Sequence, residues 1–391
     1  MKICILSSFE DSLSRDTGYS VRIYNLATSL VKSGNEVFLI IPGFNRDVKK
    51  VGGLIVYTVK GFLPKWFLRA LSRLLGIAKM SSIYFYDPFF ILQVGKIIKR
   101  ADVVQIEQQS AAGIFALIIS MIWKKPLVAD CHDVLQALRV RHVGMLRKSL
   151  ELFLEKITYK FVDLVLTVSE KEKELLVSYG IGRSKIEVVP NGVDTEEFNV
   201  RNYMSCVSRI KEEYGLENCR IVIFVGNMEY FPNKEAVRLI AFKIAPNVRG
   251  KIDNVKFLIV GRLNEKIEVP DLIFVGRVKS VAEFLSVSDV AIAPLLQGSG
   301  TRLKVLEYFS CSLPVVSTSV GVCGLDVEDG THVLIADDLE EFSDCIVRLL
   351  RDKELASKLG NASRQYVVDR YDWKIIGRRL SDTYKNLVNQ N

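Results

Sequence analysis

The stretch KICILSS (Lys2–Ser8), followed after a short loop by VRIYNLATSLVKSGNEVFLII (Val21–Ile41), decides the fold class. Four apolar positions run together at its start, Asp16-Thr17-Gly18 marks a loop, helical spacing follows and ends at Gly34, and a second apolar run closes the unit. A strand, a helix and a strand in that order make a βαβ unit, which needs a parallel sheet with both faces covered. Further strand-like runs follow at ADVVQIE, PLVADCHD and FVDLVLTVS, separated by segments of helical period. VVPNGVDTEEF (Val188–Phe198) carries Pro190, Asn191 and Gly192 and reads as a connector. The rhythm then restarts with RIVIFVG, VKFLIVG, LIFVG and DVAIAPL, three of them ending in glycine. Two doubly wound α/β domains are expected, as the length of 391 residues also suggests.

Composition excludes several classes. The longest uncharged apolar run, AAGIFALIISMIW (Ala111–Trp123), is too short to span a bilayer and reads as a buried helix. No leader with a basic start, an apolar stretch and a small-residue cleavage site precedes the first strand, so a cytoplasmic protein is expected. Seven cysteines without any C-x-x-C pair give neither a disulfide framework nor a zinc signature, and read as reduced core residues. Charge is divided unevenly. Residues 1–195 hold 27 lysines and arginines against 18 acids, a balance of +9, whereas residues 196–391 balance at −1. Lys60–Arg100 alone balances at +7 and interleaves that charge with Trp66, Phe67, Phe85, Phe89 and Phe90. Leu68, Leu71, Leu74 and Leu75 recur there at helical spacing, while Lys65, Arg69, Arg73 and Lys79 fall elsewhere on the helix. That composition suits a helix lying on an anionic membrane surface, or an ordinary amphipathic helix packed on its own domain.

GSGTRLKVLEYFSCSLPVV (Gly298–Val316) places a glycine-rich turn between the strand DVAIAPL and the helix RLKVLEYFS. In open parallel sheets the ligand crevice lies beyond the carboxyl ends of the strands, where free N–H groups of helix N-termini point. Lys304 and Glu307 are three apart and share a helix face. A lysine beside the loop suits a diphosphate, and a carboxylate one turn deeper suits vicinal hydroxyls such as those of a ribose; together they describe a nucleotide. A glycine turn followed by a surface ion pair would have the same spacing. Neither a P-loop nor a G-x-G-x-x-G after the first strand is present.

The run Gly298–Leu325 resembles the donor-binding segment of retaining, GT-B-fold glycosyltransferases of the GT4 type, the glycosyl transferases group 1. The resemblance extends in order through Thr17–Ile40, Val168–Glu170, the VVPNGVD connector, FVGNMEYFPNKEAV and VGRVKSVAEFLSVSDVAIAPL. It implies a GT-B fold, two Rossmann-like doubly wound domains facing across a cleft. Residues 1–195, with a C-terminal helix at 372–391 crossing back, would bind the acceptor; residues 196–371 would bind a nucleotide-sugar. A hinge near Asn191–Asp194 would let the cleft close. Transfer would proceed with retention, with no cofactor and no metal ion.

Residue by residue, the resemblance implies that Glu307 binds the ribose hydroxyls. The usual glutamate eight positions earlier is here Ser299, which leaves the donor sugar to Ser299, Thr301 and backbone amides around Gly300. The amides of Arg302 and Leu303 match positions that approach the diphosphate, and Gly18 matches a glycine loop that closes on it. Where relatives place an arginine and a lysine, this chain has Asn227 and Met228, then Pro232-Asn233-Lys234. The cationic role therefore passes to Lys304 and Arg302, with Asn233 and Lys234 unassigned. Gly276 and Val278 match the loop whose backbone reads the base, and His132 matches a histidine near the reacting sugar. Ser312 replaces a glycine common at the helix exit, at roughly 1 kcal/mol if a left-handed conformation is needed there.

Cleaving a sugar–diphosphate bond builds negative charge on the leaving oxygens, which preorganised amides and cations stabilise. No D-x-D pair flanked by strands occurs, and the histidines are His132, His142 and His332. Asp130 and Asp133 read as structural or orienting, because paired-carboxylate hydrolysis needs a defined separation that sequence does not give. The expected function is transfer of a sugar from a UDP- or GDP-sugar to a glycan or lipid-linked acceptor in cell-surface polysaccharide or glycolipid synthesis. A nucleotide-sugar epimerase and a non-catalytic nucleotide-sugar-binding protein are the alternatives. The basic N-terminal half would meet an anionic membrane peripherally, on its inner face; no nucleic-acid motif accompanies the charge.

Overall fold

The computed structural model of the chain describes residues 1–7, 12–13, 17–43, 45–64, 66–67, 70, 87–107, 111–131, 145–262, 269–298 and 302–390, the side chains of 111, 112 and 145–151 excepted. It divides into two compact units, Met1–Pro190 with Trp373–Asn391, and Asn191–Asp372. Each is an α/β unit built on a parallel sheet.

In the first unit the strands are β1 (Lys2–Leu6), β2 (Glu36–Pro42), β3 (Asp47–Val51), β4 (Leu54–Val59), β5 (Val103–Ile106), β6 (Leu127–Cys131), β7 (Leu164–Thr167) and β8 (Ile186–Val188). Between them lie α1 (Gly18–Lys32), α2 (Pro88–Ile98), α3 (Ala111–Trp123), α4 (Met145–Phe161) and α5 (Glu170–Ser178). The sheet order is β3-β4-β2-β1-β5-β6-β7-β8, parallel except for the β3–β4 hairpin. That hairpin turns at Gly52-Gly53, both at positive φ, as the tight turns matching strand twist require. Its edge strand DVKKV is exposed and lysine-bearing, which discourages edge-to-edge pairing. Alternate residues of β1 enter opposite cores, Ile3 and Ile5 on one face, Cys4 and Leu6 on the other. A strand covered on both faces has no polar side, hence the unbroken apolar run.

The apolar run Ala111–Trp123 is helical, but the expectation that it is buried fails along one side. Ala116, Leu117 and Ile119 are in the core, whereas Ile118, Met121 and Ile122 are 53%, 75% and 65% exposed. Hydropathy without a polar face reads as burial all round, yet this helix meets the rest of its unit on one side. Of the aromatics grouped above, Phe90 is core while Phe89 and Trp66 are exposed; Phe85, Lys65, Arg69, Arg73 and Lys79, with the leucines among them, lie outside the described residues. Of the seven cysteines, Cys4, Cys131 and Cys311 are buried and the others are partly exposed. Among the described residues no helix is long and apolar enough to cross a membrane.

The second unit opens with α6 (Val207–Glu213) and runs β9 (Arg220–Val225), α7 (Phe231–Leu239), a π-helical turn, α8 (Ala245–Arg249), β10 (Val255–Val260), β11 (Leu272–Gly276), α9 (Val281–Ser286), β12 (Val290–Ala293), α10 (Leu303–Ser310), β13 (Val315–Ser317), β14 (Leu334–Ile335), α11 (Leu339–Arg351) and α12 (Lys353–Arg370). All strands are parallel, in the order β11-β10-β9-β12-β13-β14. In β9, Ile221, Ile223 and Val225 face one core and Val222 and Phe224 the other. Ser312, after α10, is at φ +56, so the left-handed exit is real and a serine occupies it. The chain ends with α13 (Trp373–Gln390), which packs in the first unit: Asn35 donates to Ser381 Oγ at 2.8 Å, and Tyr384 Oη donates to Gln105 at 2.5 Å. Gly377 touches Ser29 of α1, where any larger residue would collide.

Candidate active site

In the second unit the chain leaves β9 for β10 and β11 on one side, and later enters β12, β13 and β14 on the other. The switch point therefore lies between β9 and β12, and the ligand crevice of such a sheet opens beyond their carboxyl ends. Gly226 follows β9 there. A Cβ on Gly226 would sit 2.8 Å from Asn233 Nδ2 and 2.9 Å from Lys304 Nζ, so only glycine lets these two side chains close over the strand end. Gly261 follows β10 at φ +134 and presses against the Gly226 carbonyl. Gly298 follows β12 at φ +130, with the Arg302 guanidinium folded over it, 2.8 Å from where a Cβ would stand.

Helix α10 starts at this place with Arg302 as its N-cap, and among the described residues no side chain caps it. Its first N–H groups and its dipole point toward the crevice. The helix is fixed to the strand by Tyr308, whose hydroxyl accepts the Val225 N–H at 2.8 Å. Lys304 Nζ donates to Asn233 Oδ1 at 2.7 Å and lies 4.1 Å from the centre of the Phe224 ring. Asn233 in turn donates to the Asn227 carbonyl at 2.8 Å. Burial pushes the Lys304 pKa down to about 7, and the charge of Arg302 adds to that, while Glu307 opposes it. Arg302 is buried, and burial lowers its pKa too. Burial thus disfavours the charge of both cations at the start of α10.

Glu307 lies one turn further along α10, half-buried. Leu303 is the first residue of that helix. Gly276 ends β11 at φ +81, and its carbonyl accepts the Gly261 N–H at 2.8 Å. Val278 packs its side chain against the core. Lys234 is partly buried beside Asn233. His132, Ser299, Gly300 and Thr301 lie outside the described residues. Phe224 and Gly226 escaped sequence reasoning as members of the cradle. The signal was available in part, since a strand ending in FVG announces a close backbone approach.

The first unit has its own switch point, between β1 and β5. Gly18 is the first residue of α1, and Thr17 with Ser20 forms a reciprocal capping box there. Around it, Ser7 Oγ lies 2.7 Å from Ser12 Oγ and 3.0 Å from the Tyr19 hydroxyl. Beneath, Arg22 makes a two-pronged pair with Asp130 at 2.9 and 2.8 Å, both side chains fully buried. Glu107, at the end of β5, accepts from Gln105 at 2.5 Å, and burial together with the Asp130 charge raises its pKa well above the carboxylate range.

Two family models match the chain. One, described as Glycosyltransferase Family 4, takes in residues 17–197; the other, Glycosyl transferases group 1, takes in residues 219–352. The N-acetyl-alpha-D-glucosaminyl L-malate synthase of Bacillus anthracis is 26% identical over 211 residues, covering 52% of this chain and 54% of that one. The chain thus spans about half the length of that relative. The UDP-Gal:alpha-D-GlcNAc-diphosphoundecaprenol alpha-1,3-galactosyltransferase of Escherichia coli is 23% identical over 401 residues, covering 94% and 96% of the two chains. Among solved structures, Anabaena Alr3699/HepE in complex with UDP superposes with a TM-score of 0.74 over 99% of this chain and 100% of that one, at 16% identity. The fold is GT-B.

Proposed function

This chain belongs to the group 1 glycosyl transferases, Family 4, and we propose that it is a retaining glycosyltransferase. In this reading the second unit holds a UDP- or GDP-sugar, and the first recognises a glycan or lipid-linked acceptor of cell-surface polysaccharide or glycolipid synthesis. The observation that carries it is the cradle at the β9/β12 switch point, where the Gly226 gap admits Lys304 and Asn233 beside the start of α10. As the bond between sugar and diphosphate breaks, charge gathers on the leaving oxygens; Lys304, Arg302 and the amides of Arg302 and Leu303 meet it without reorganising. Glu307 takes the ribose hydroxyls, and the backbone at Gly276–Val278 takes the base. Ser299, Gly300 and Thr301 are assigned to the donor sugar, Gly18 to the phosphate-closing loop and His132 to the reacting centre, on family resemblance alone. The chemistry needs no metal ion, and the protein works in the cytoplasm, against the inner membrane face.

Thermal stabilisation by UDP, GDP, ADP and CMP sugars tests the donor assignment, since a ligand at 100 times its dissociation constant adds about 2.7 kcal/mol. A UDP- or GDP-sugar should stabilise, and nucleotide release should then depend on added acceptor and survive excess EDTA. Interconversion of nucleotide sugars without acceptor would instead identify an epimerase.

A further inference from the structure

The amino-terminal ends of β6 and β7 carry a surface that the donor and acceptor assignments do not use. Here α3 ends in Met121, Ile122 and Trp123, with Ile118 one turn back, and these side chains are 75%, 65%, 38% and 53% exposed. Phe161, at the end of α4, is 65% exposed beside them. Met121 and Phe161 share with Lys124, Lys125 and Pro126 the lining of a surface groove of about 240 Å³. Lys99 Nζ stands 4.6 Å from the centre of the Trp123 ring. Asp163, which also lines the groove, accepts the Leu127 N–H at 2.7 Å. Lys124 adopts φ +48, a conformation in which glycine is usual, so a cation stands where the backbone favours none.

We infer that this tip is a docking surface for an anionic lipid bilayer. An apolar point of tryptophan, methionine and isoleucine enters the headgroup region, and the lysines around it remain at the charged surface. Charge complementarity selects the occupant: the tip presents Lys99, Lys124 and Lys125, and each cation near an anionic surface strengthens binding about fivefold. A stable protein partner would require roughly 800 Å² from each side, far more than a point of four apolar side chains offers. The surface lies at the opposite end of the β6 and β7 strands from their carboxyl ends, so it tethers the chain and leaves the crevice of that unit open. The inference deepens the membrane contact in the proposed function by naming its surface, and it does not depend on which sugar is transferred.

Full-length protein is co-sedimented with vesicles of phosphatidylcholine alone and with phosphatidylglycerol at one part in four, at low and high salt. Binding is expected with the anionic vesicles at low salt, accompanied by a blue shift of tryptophan emission. Lys124→Glu with Lys125→Glu should weaken it more than tenfold, the milder Lys124→Gln with Lys125→Gln less, and Ile122→Ser should remove the emission shift. Calorimetric binding of the donor nucleotide should be unchanged in each variant, which keeps this test separate from the enzymatic one. No binding to anionic vesicles overturns the inference. So does binding that the lysine variants leave intact, or that only Lys65→Glu, Arg69→Glu and Arg73→Glu together abolish. A wild-type dimer that Ile122→Ser dissociates, with no affinity for vesicles, would assign the surface to a second copy.

Discussion

Two sheets of the same winding put two helix starts at two switch points, and the chain treats them in opposite ways. At β1/β5 the start of α1 is closed by its own Thr17–Ser20 capping box, above a buried Arg22–Asp130 pair and a ring of hydroxyls that bond one another. At β9/β12 no described side chain caps the start of α10, glycines line the strand ends, and the Lys304 amine leans on an amide and an aromatic face. The contrast shows what topology does not decide. Parallel winding places a crevice at each switch point, and in the proposed reading local capping and glycine content determine whether it is filled by the protein or kept for an anion.

The largest effect tests the filled site. Asp130→Ala leaves the Arg22 guanidinium buried without its two-pronged partner, and losing one member of a buried pair destabilises by about 3–5 kcal/mol. Urea unfolding should show that loss, with donor binding by folded protein unchanged; an unaltered midpoint would mean the pair carries no structural weight. At the open site, Glu307→Ala should weaken donor binding by about 1.5–3 kcal/mol, the scale of hydrogen bonds to a charged group. The thermal midpoint should move little, and equal calorimetric affinity would remove Glu307 from the ribose.

A smaller, signed effect comes from Lys304. In the folded protein burial pushes its pKa down to about 7, against an ordinary value of 10.5. Between those values the unfolded chain binds more protons, so the contribution of this group to stability rises with pH across that window. A bound diphosphate favours the ammonium, so binding takes up a proton, and donor affinity should fall as pH rises above about 7, by at most tenfold per unit. Calorimetry in buffers of different ionisation enthalpy checks the uptake, and Lys304→Arg should flatten the dependence because arginine stays charged. Smallest is Ser312→Gly, which relieves a left-handed serine and should raise stability by roughly 1 kcal/mol in thermal or urea unfolding.

The doubly wound fold was legible because each central strand is covered on both faces, which leaves runs such as IVIFV (Ile221–Val225) without a polar position. The Lys304–Glu307 spacing was legible because it lies within one helix. The Asn233–Lys304 bond was not, since the two residues are 71 apart in sequence and meet only through the Gly226 gap. Nor was the exposed side of Ala111–Trp123, because an apolar run records solubility in a core without recording which side meets it. Asp130 reads from sequence as structural or orienting, but its partner Arg22, 108 residues away, was not legible there.

The central claim is that the open switch point carries the charge of the leaving diphosphate. Lys304→Ala tests it most directly, with initial rates measured at saturating donor and acceptor and the thermal midpoint measured on the same sample. Turnover should fall about 100–1000-fold, the scale of losing one preorganised stabiliser of developing charge, while the fold stays intact. A Lys304→Ala protein with wild-type turnover would place the diphosphate somewhere other than the start of α10.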